Sequence, residues 1–177
     1  TVYAVSSSWN RSSKLPAPAL PKVVHLLNRG DIHKPLREVH SGALTAIKCL
    51  PARFALEDSS QEAQRRAALA DWIASKDNPL TWRSIVNRVW QHHFAAGLCS
   101  TPNDFGRMGS LPSHPELLDW LAVWFRDDAG GSLKQLHRLI LTSHAWKRGS
   151  HVPSNGHAAA LALDAENTLL WRMPRTR

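Results

Sequence analysis

The stretch NPLTWRSIVNRVWQHHFAAGLCSTPNDFG, Asn78 to Gly106, sets the expected architecture. Asn78 is a favourable N-cap, and Pro79 takes the first helical position, where a missing N–H does no harm. Trp82, Ile85, Val86, Val89, Trp90 and Phe94 recur at helical spacing and make one apolar face. Gly97 is placed to stop the helix. At ~100° per residue His93 falls in the middle of that face and His92 at its edge, while Arg83 and Asn87 flank the other side. Polar groups carried toward a core need partners. The following loop offers Asp104, just before Gly106.

Three further helices are expected around this one. Downstream, Ser113-His114-Pro115-Glu116 reads as a capping box opening a helix that buries Leu117, Leu118, Trp120, Leu121, Trp124 and Phe125. Gly130-Gly131 breaks it. Ser132 and Gln135 cap the next, with Leu133, Leu136, Leu139, Ile140, Ser143 and Trp146 inward and Gly149 as its end. Upstream, Ser59 and Glu62 form another capping box, before a face of Ala63, Ala67, Leu69, Ala70, Ile73 and Ala74. Arg66 projects into that stripe, either paired inside or snorkelling along the helix edge.

The flanks are less regular. Val23–Leu27 reads as a short strand, and Asn28-Arg29-Gly30-Asp31 has turn chemistry. Residues 32–58 are ambiguous, with Gly42 to Leu50 either strand or loop. Two such apolar runs are not expected to make a sheet. Pro16, Pro18 and Pro21 favour an extended arm over 1–22. After Gly149 come a polar loop, a weak helical patch from His157 to Leu163, and a tail with Arg172, Arg175 and Arg177. The predicted fold is mainly α: a compact bundle of four main helices with an extended N-terminal arm and a short C-terminal tail. Residues 1–58 form the arm, 59–150 the helical core, and 151–177 the loop, weak helix and basic tail.

Composition bounds the function classes. A chain of 177 residues with 43% hydrophobic content can build one sizeable core. Its net charge of +8 and pI near 10.2 point to polyanionic partners. No run of about 18 apolar residues exists, so no membrane span is expected. Cys49 and Cys99 match no C-x-x-C or C-x-x-C-H pattern, so they argue for neither zinc nor covalently held haem. The first residue is Thr1, so any targeting segment is expected to have been cut away or to lie upstream.

RAALADW (66–72), NPLTWR (78–83), VNRVWQHHF (86–94), GL (97–98), TPNDFG (101–106), SHPELLDW (113–120) and LILTS (139–143) together resemble a known family. It is the domain of unknown function 1553, found at the C-terminal end of large planctomycete-type secreted proteins, often downstream of a cytochrome-c-like module. LNRGD (27–31) and ENTLLWR (166–172) are similar to it as well. The resemblance covers roughly residues 23–177. Ala95 stands where the family usually has Gly, and the chain stops where the family continues into another helical segment. The resemblance implies export, for example to a periplasm, and neighbouring domains of a larger protein as partners. It implies no reaction, cofactor or catalytic residue.

The chemistry-bearing residues support several readings. His92 and His93 are adjacent and diverge by ~100°, unlike a zinc-binding pair at i and i+4. His137 and His144 lie two turns, roughly 10 Å, apart. A metal site from His93, Asp104 and His114 is conceivable, but the expectation is no metal and no cofactor. His93 is read instead as a core imidazole held by a loop carboxylate such as Asp104. Arg66, Arg88, His93 and Asp104 are then expected as a structural polar cluster. Glu116 and Asp119 fall on a polar face. Between Asp128 and Asp164 no acidic residue occurs, while Lys134, Arg138, Lys147 and Arg148 do, so a polyanion-binding stripe is expected there.

The leading functional expectation is a non-catalytic accessory module offering that basic surface to a partner domain or an acidic polymer. The alternative is an enzyme domain in polysaccharide or redox metabolism, with His93, Asp104, His114, Arg83 and Asn87 around a pocket. Nucleic-acid binding, the third, rests on charge alone, because no base-reading motif is present.

Overall fold

The computed structural model describes residues 8–9, 16–17, 23–150 and 154–174. Most of the expected arm over 1–22, and the tail residues Arg175 and Arg177, lie outside the described residues. The chain divides into two compact units, Thr1–Asn78 and Pro79–Arg177. The helix expected to open a core at residue 59 groups with the first unit.

In the first unit, β1 (Ser8–Trp9) pairs antiparallel with β2 (Pro16–Ala17), and β3 (Val24–Asn28) with β4 (Asp31–Val39). The β3–β4 turn forms where its chemistry was read. Arg29 (φ 51°) and Gly30 (φ 80°) both lie in the left-handed region, as a two-residue hairpin turn requires. Asp31 supports the turn by accepting from the His33 amide at 2.9 Å. The sequence expectation of no sheet is thus corrected: the extended run after the turn, too polar to suggest burial, folds back as the partner strand. Gly42 to Leu50 is mostly turns, with Gly42 bridged to Arg53.

α1 runs Glu62–Ala74, but Ser59 does not cap it. Gln61 occupies the N-cap without a side-chain bond, and Asp58 organises the approach instead. Its carboxylate accepts from the Ser60 hydroxyl (2.6 Å) and amide (2.8 Å), and these bonds hold the Asp58 carboxyl below its usual range. The inward cation is Arg65, 1% exposed, whose Nη1 donates to the Ser59 carbonyl at 2.6 Å. Arg66 turns outward to Glu62 at 3.1 Å. Arg65 and Trp72 are two turns apart and share the buried side, so the helix sits about one residue, ~100°, from the phase its alanines suggest. Buried Asn78 donates from Nδ2 to the Trp72 carbonyl at 3.1 Å.

The second unit holds α2 (Pro79–Phe94), α3 (Pro115–Asp127), α4 (Leu133–Thr142) and α5 (Ser154–Leu163). Its core joins Val86, Trp90 and Phe94 of α2 to Leu118, Leu121 and Phe125 of α3 and to Leu136 and Ile140 of α4. Burying each of the large aliphatic or aromatic side chains contributes about 1.5–3 kcal/mol. Trp82 meets Phe125 edge-on at 6.1 Å, and Trp90 stacks on Phe94 at 4.4 Å. Trp120, expected inside, is 53% exposed, because Leu118, Leu121 and Phe125 set the inward direction of α3 and Trp120 points away from it. α3 ends as expected: the Gly131 amide donates to Phe125 O at 2.8 Å, and Gly130 and Gly131 turn the chain at φ 55° and 76°. Ser132 Oγ then caps α4, accepting from the Gln135 amide at 3.4 Å.

The fold is mainly helical, with five helices and two strand pairs among the described residues; it is not a pure all-α bundle of four. The weak patch near residue 157 is a helix that starts earlier, at Ser154. No described helix is long and apolar enough to cross a membrane.

Candidate functional site

Asn87 anchors the polar side of α2. Fully buried, it accepts from the Cys99 amide at 2.8 Å and donates to the Cys99 carbonyl at 2.9 Å. One side-chain amide thereby satisfies both backbone groups of a loop residue that water does not reach. Gly97 makes room for this clip, since a Cβ there would meet Asn87 Oδ1 and Nδ2 at 2.8 Å. α2 therefore does not stop at Gly97; it ends at Phe94, and Ala95 takes the left-handed turn at φ 66°. Both cysteines are free, Cys49 exposed and Cys99 buried.

The other polar residues of α2 find separate partners. Arg83 forks onto Asp119 of α3, with Nε–Oδ1 at 2.6 Å and Nη2–Oδ2 at 2.9 Å. Arg88 donates to Asn103 Oδ1 at 2.9 Å. Asp104 accepts from the Gly106 amide at 2.8 Å. His93 does not meet Asp104. Its Nε2 lies 2.8 Å from His137 Nδ1 on α4, and its ring packs edge-on against Trp146 at 5.2 Å. Partial burial first, then the nearby His137 and His92 charges, push the His93 pKa below the usual imidazole value. The loop thus reaches α2 through Asn103 and Cys99, and Arg66, Arg88, His93 and Asp104 are each held by a different partner.

Of the five residues considered for a pocket, His114 alone lines a cavity found in this unit. That cavity, about 640 Å³, takes apolar lining from Trp90, Phe94, Leu98 and exposed Leu111. Its polar groups include His114, Glu166 and Arg172. His114 Nδ1 lies 3.0 Å from Ser113 Oγ, which also donates to Leu98 O at 3.2 Å. Ser113 is therefore occupied in closing the loop, and His114 is the N-cap of α3 without a side-chain cap bond. The expected capping box gives way to loop closure. No three His, Cys, Asp or Glu side chains among the described residues lie together as a metal-binding group.

The C-terminal wall of the cavity was not legible as a site. Asn167 repeats the Asn87 device: it accepts from the Arg172 amide at 3.1 Å and donates to the Arg172 carbonyl at 2.9 Å. Asp164 takes the Thr168 and Leu169 amides at 2.9 and 2.7 Å. These bonds fix the backbone of Arg172, while its guanidinium lies 5.2 Å over the Trp171 ring. The guanidinium makes no ion pair or hydrogen bond among the described residues, and its Nε is shielded from solvent without an acceptor. An unsatisfied buried donor costs about 1–3 kcal/mol. Only the basic tail residue itself, at the end of ENTLLWR, signalled this in the sequence.

Lys134, Arg138, Lys147 and Arg148 are all exposed. Arg148 Nη1 donates to the Trp171 carbonyl at 3.2 Å. Lys134, Arg138 and Lys147 form no ion pair among the described residues.

No curated protein and no solved structure matches the chain. The resemblance read upstream, at Leu27–Asp31, lies outside the residues that the family comparison matches. That comparison aligns residues 65–177, about two-thirds of the chain, with PSD1, a protein of unknown function (DUF1553), and the chain belongs to this family.

Proposed function

We propose that this chain is a non-catalytic accessory module of a larger secreted protein, presenting Lys134, Arg138 and Lys147 to an acidic partner domain or acidic polymer. The observation that supports this reading is their state: three exposed cations without an acidic partner among the described residues, in a stretch of sequence free of Asp and Glu from 129 to 163. Such groups keep their full field for an outside anion. A neighbouring cytochrome-c-like module is the partner that the family resemblance implies. The enzyme alternative places His93, Asp104, His114, Arg83 and Asn87 around one pocket, and four of these five are engaged with other partners and do not line the cavity that His114 lines.

The test is retention on immobilised heparin. The wild-type chain is expected to be retained at low salt and released as salt rises, and Lys134→Glu/Arg138→Glu/Lys147→Glu to elute in the void. Equal retention of the two proteins would remove the reading. Tighter binding to duplex DNA than to heparin would favour the nucleic-acid alternative.

A further inference from the structure

We infer that the cavity between the end of α2, the start of α3 and the 164–172 segment binds a small organic monocarboxylate with an apolar body. It is independent of Lys134, Arg138 and Lys147, so either proposal can fail without the other.

Three features lead to this ligand class. Arg172 stands at the cavity with a guanidinium that meets no carboxylate or hydrogen-bond acceptor among the described residues. Its backbone is clamped at both polar atoms by Asn167, so the side chain is presented from a fixed base. The planar, always-charged fork matches a carboxylate in two-point geometry. A carboxylate admitted to the cavity supplies the acceptor that Arg172 lacks.

The rest of the lining sets the body of the ligand. Trp90, Phe94 and Leu98 bring core aromatic and aliphatic surface to the cavity. Leu111, 91% exposed, leaves an apolar side chain in water beside them. About 640 Å³ falls within the size range of small-molecule sites. Glu166 also lines the cavity, is exposed and forms no ion pair among the described residues. Its charge opposes a second negative group, which selects a monoanion over a dicarboxylate or phosphate.

The experiment titrates the chain with 3-phenylpropionate, its neutral amide and inorganic phosphate, following Arg Nε and Trp indole resonances by NMR. The acid is expected to bind saturably, shifting the Arg172 Nε signal, with the amide and phosphate at least ~10-fold weaker, as loss of one charge-assisted contact gives. Arg172→Gln is expected to weaken the acid by a similar factor, and Glu166→Gln to strengthen it. Leu111→Asp provides a second probe, because so exposed a position leaves folding untouched while placing a repelling charge at the cavity. Absence of saturable binding by the acid would overturn the inference. Equal affinity for acid and amide, or acid binding unchanged in both Arg172→Gln and Leu111→Asp, would do so too.

Discussion

At residue scale, Ala95 and His93 show how local chemistry strains or tunes the second unit. Ala95 holds φ 66°, a region that costs an L-residue with a Cβ about 1–2 kcal/mol. Glycine avoids that cost but loses more chain entropy on folding. Ala95→Gly is therefore expected to stabilise the protein by about 0.5–1 kcal/mol, read from the urea midpoint. The departure from the family pattern was visible in the sequence; that it sits at a left-handed helix stop was not, because Gly97 looked like the stop. Gly97 is instead required by its contact with the Asn87 amide.

His93 carries a pH consequence. Its folded-state pKa is lowered, so between that value and the usual imidazole value the unfolded chain binds more protons than the folded one. Stability should rise with pH through that window, be fully present above the usual value, and fall away on acidification. The groups that bear on it are His137 across the 2.8 Å contact and His92 beside it. Urea unfolding at several pH values between about 5 and about 8 is expected to show this slope, and His93→Gln to flatten it. His93 and His137 are 44 residues apart, and no local pattern announces such a contact.

At the scale of elements, legibility followed how sharply each helix separates its faces. α4 was readable at its start, where Ser132 caps through Gln135, and in Leu136 and Ile140, which point inward as spaced. Its end was not, since it stops at Thr142 with Ser143 as C-cap instead of running to Gly149, and Leu133, expected inside, is 50% exposed. α1 was not, because its alanines are nearly as apolar on every side, and Arg65 rather than Arg66 went inside. The two capping boxes failed in the same way, because each helix begins after the serine: Gln61 takes the N-cap of α1 and His114 that of α3, while the Ser113 hydroxyl closes the loop onto Leu98. Arg83–Asp119 links α2 to α3 through a fork, with side chains 37% and 50% exposed. Water screens such a pair, so Asp119→Asn is expected to cost no more than about 1 kcal/mol. A double-mutant cycle with Arg83→Gln should return a coupling of about 0.3–1 kcal/mol.

For the whole molecule, the two units differ in what they bury. The principal core cluster belongs entirely to the second, from Val86 to Ile140. In the first, the buried apolar side chains among the described residues are Ala43 and Trp72. Residues 79–177 expressed alone are thus expected to melt cooperatively, and residues 1–78 alone to show no such transition by calorimetry. The mainly helical character could be read from periodicity, and so could the first strand and the turn of the hairpin, whereas the partner strand Asp31–Val39 could not, since it is largely exposed and lacks a clear alternation.

The charge balance is legible from composition; we propose that it becomes directional through the acid-free stretch carrying Lys134, Arg138 and Lys147. The most direct test of this central idea is the salt dependence of heparin affinity, measured by titration at about 50 and about 200 mM NaCl. With three cations engaged, affinity is expected to fall roughly 40-fold over that range, by analogy with counterion release from a polyanion. In the Lys134→Glu/Arg138→Glu/Lys147→Glu protein the salt dependence should be largely lost. A wild-type affinity unchanged between the two salt concentrations, or a salt slope unaltered by the three substitutions, would contradict the account.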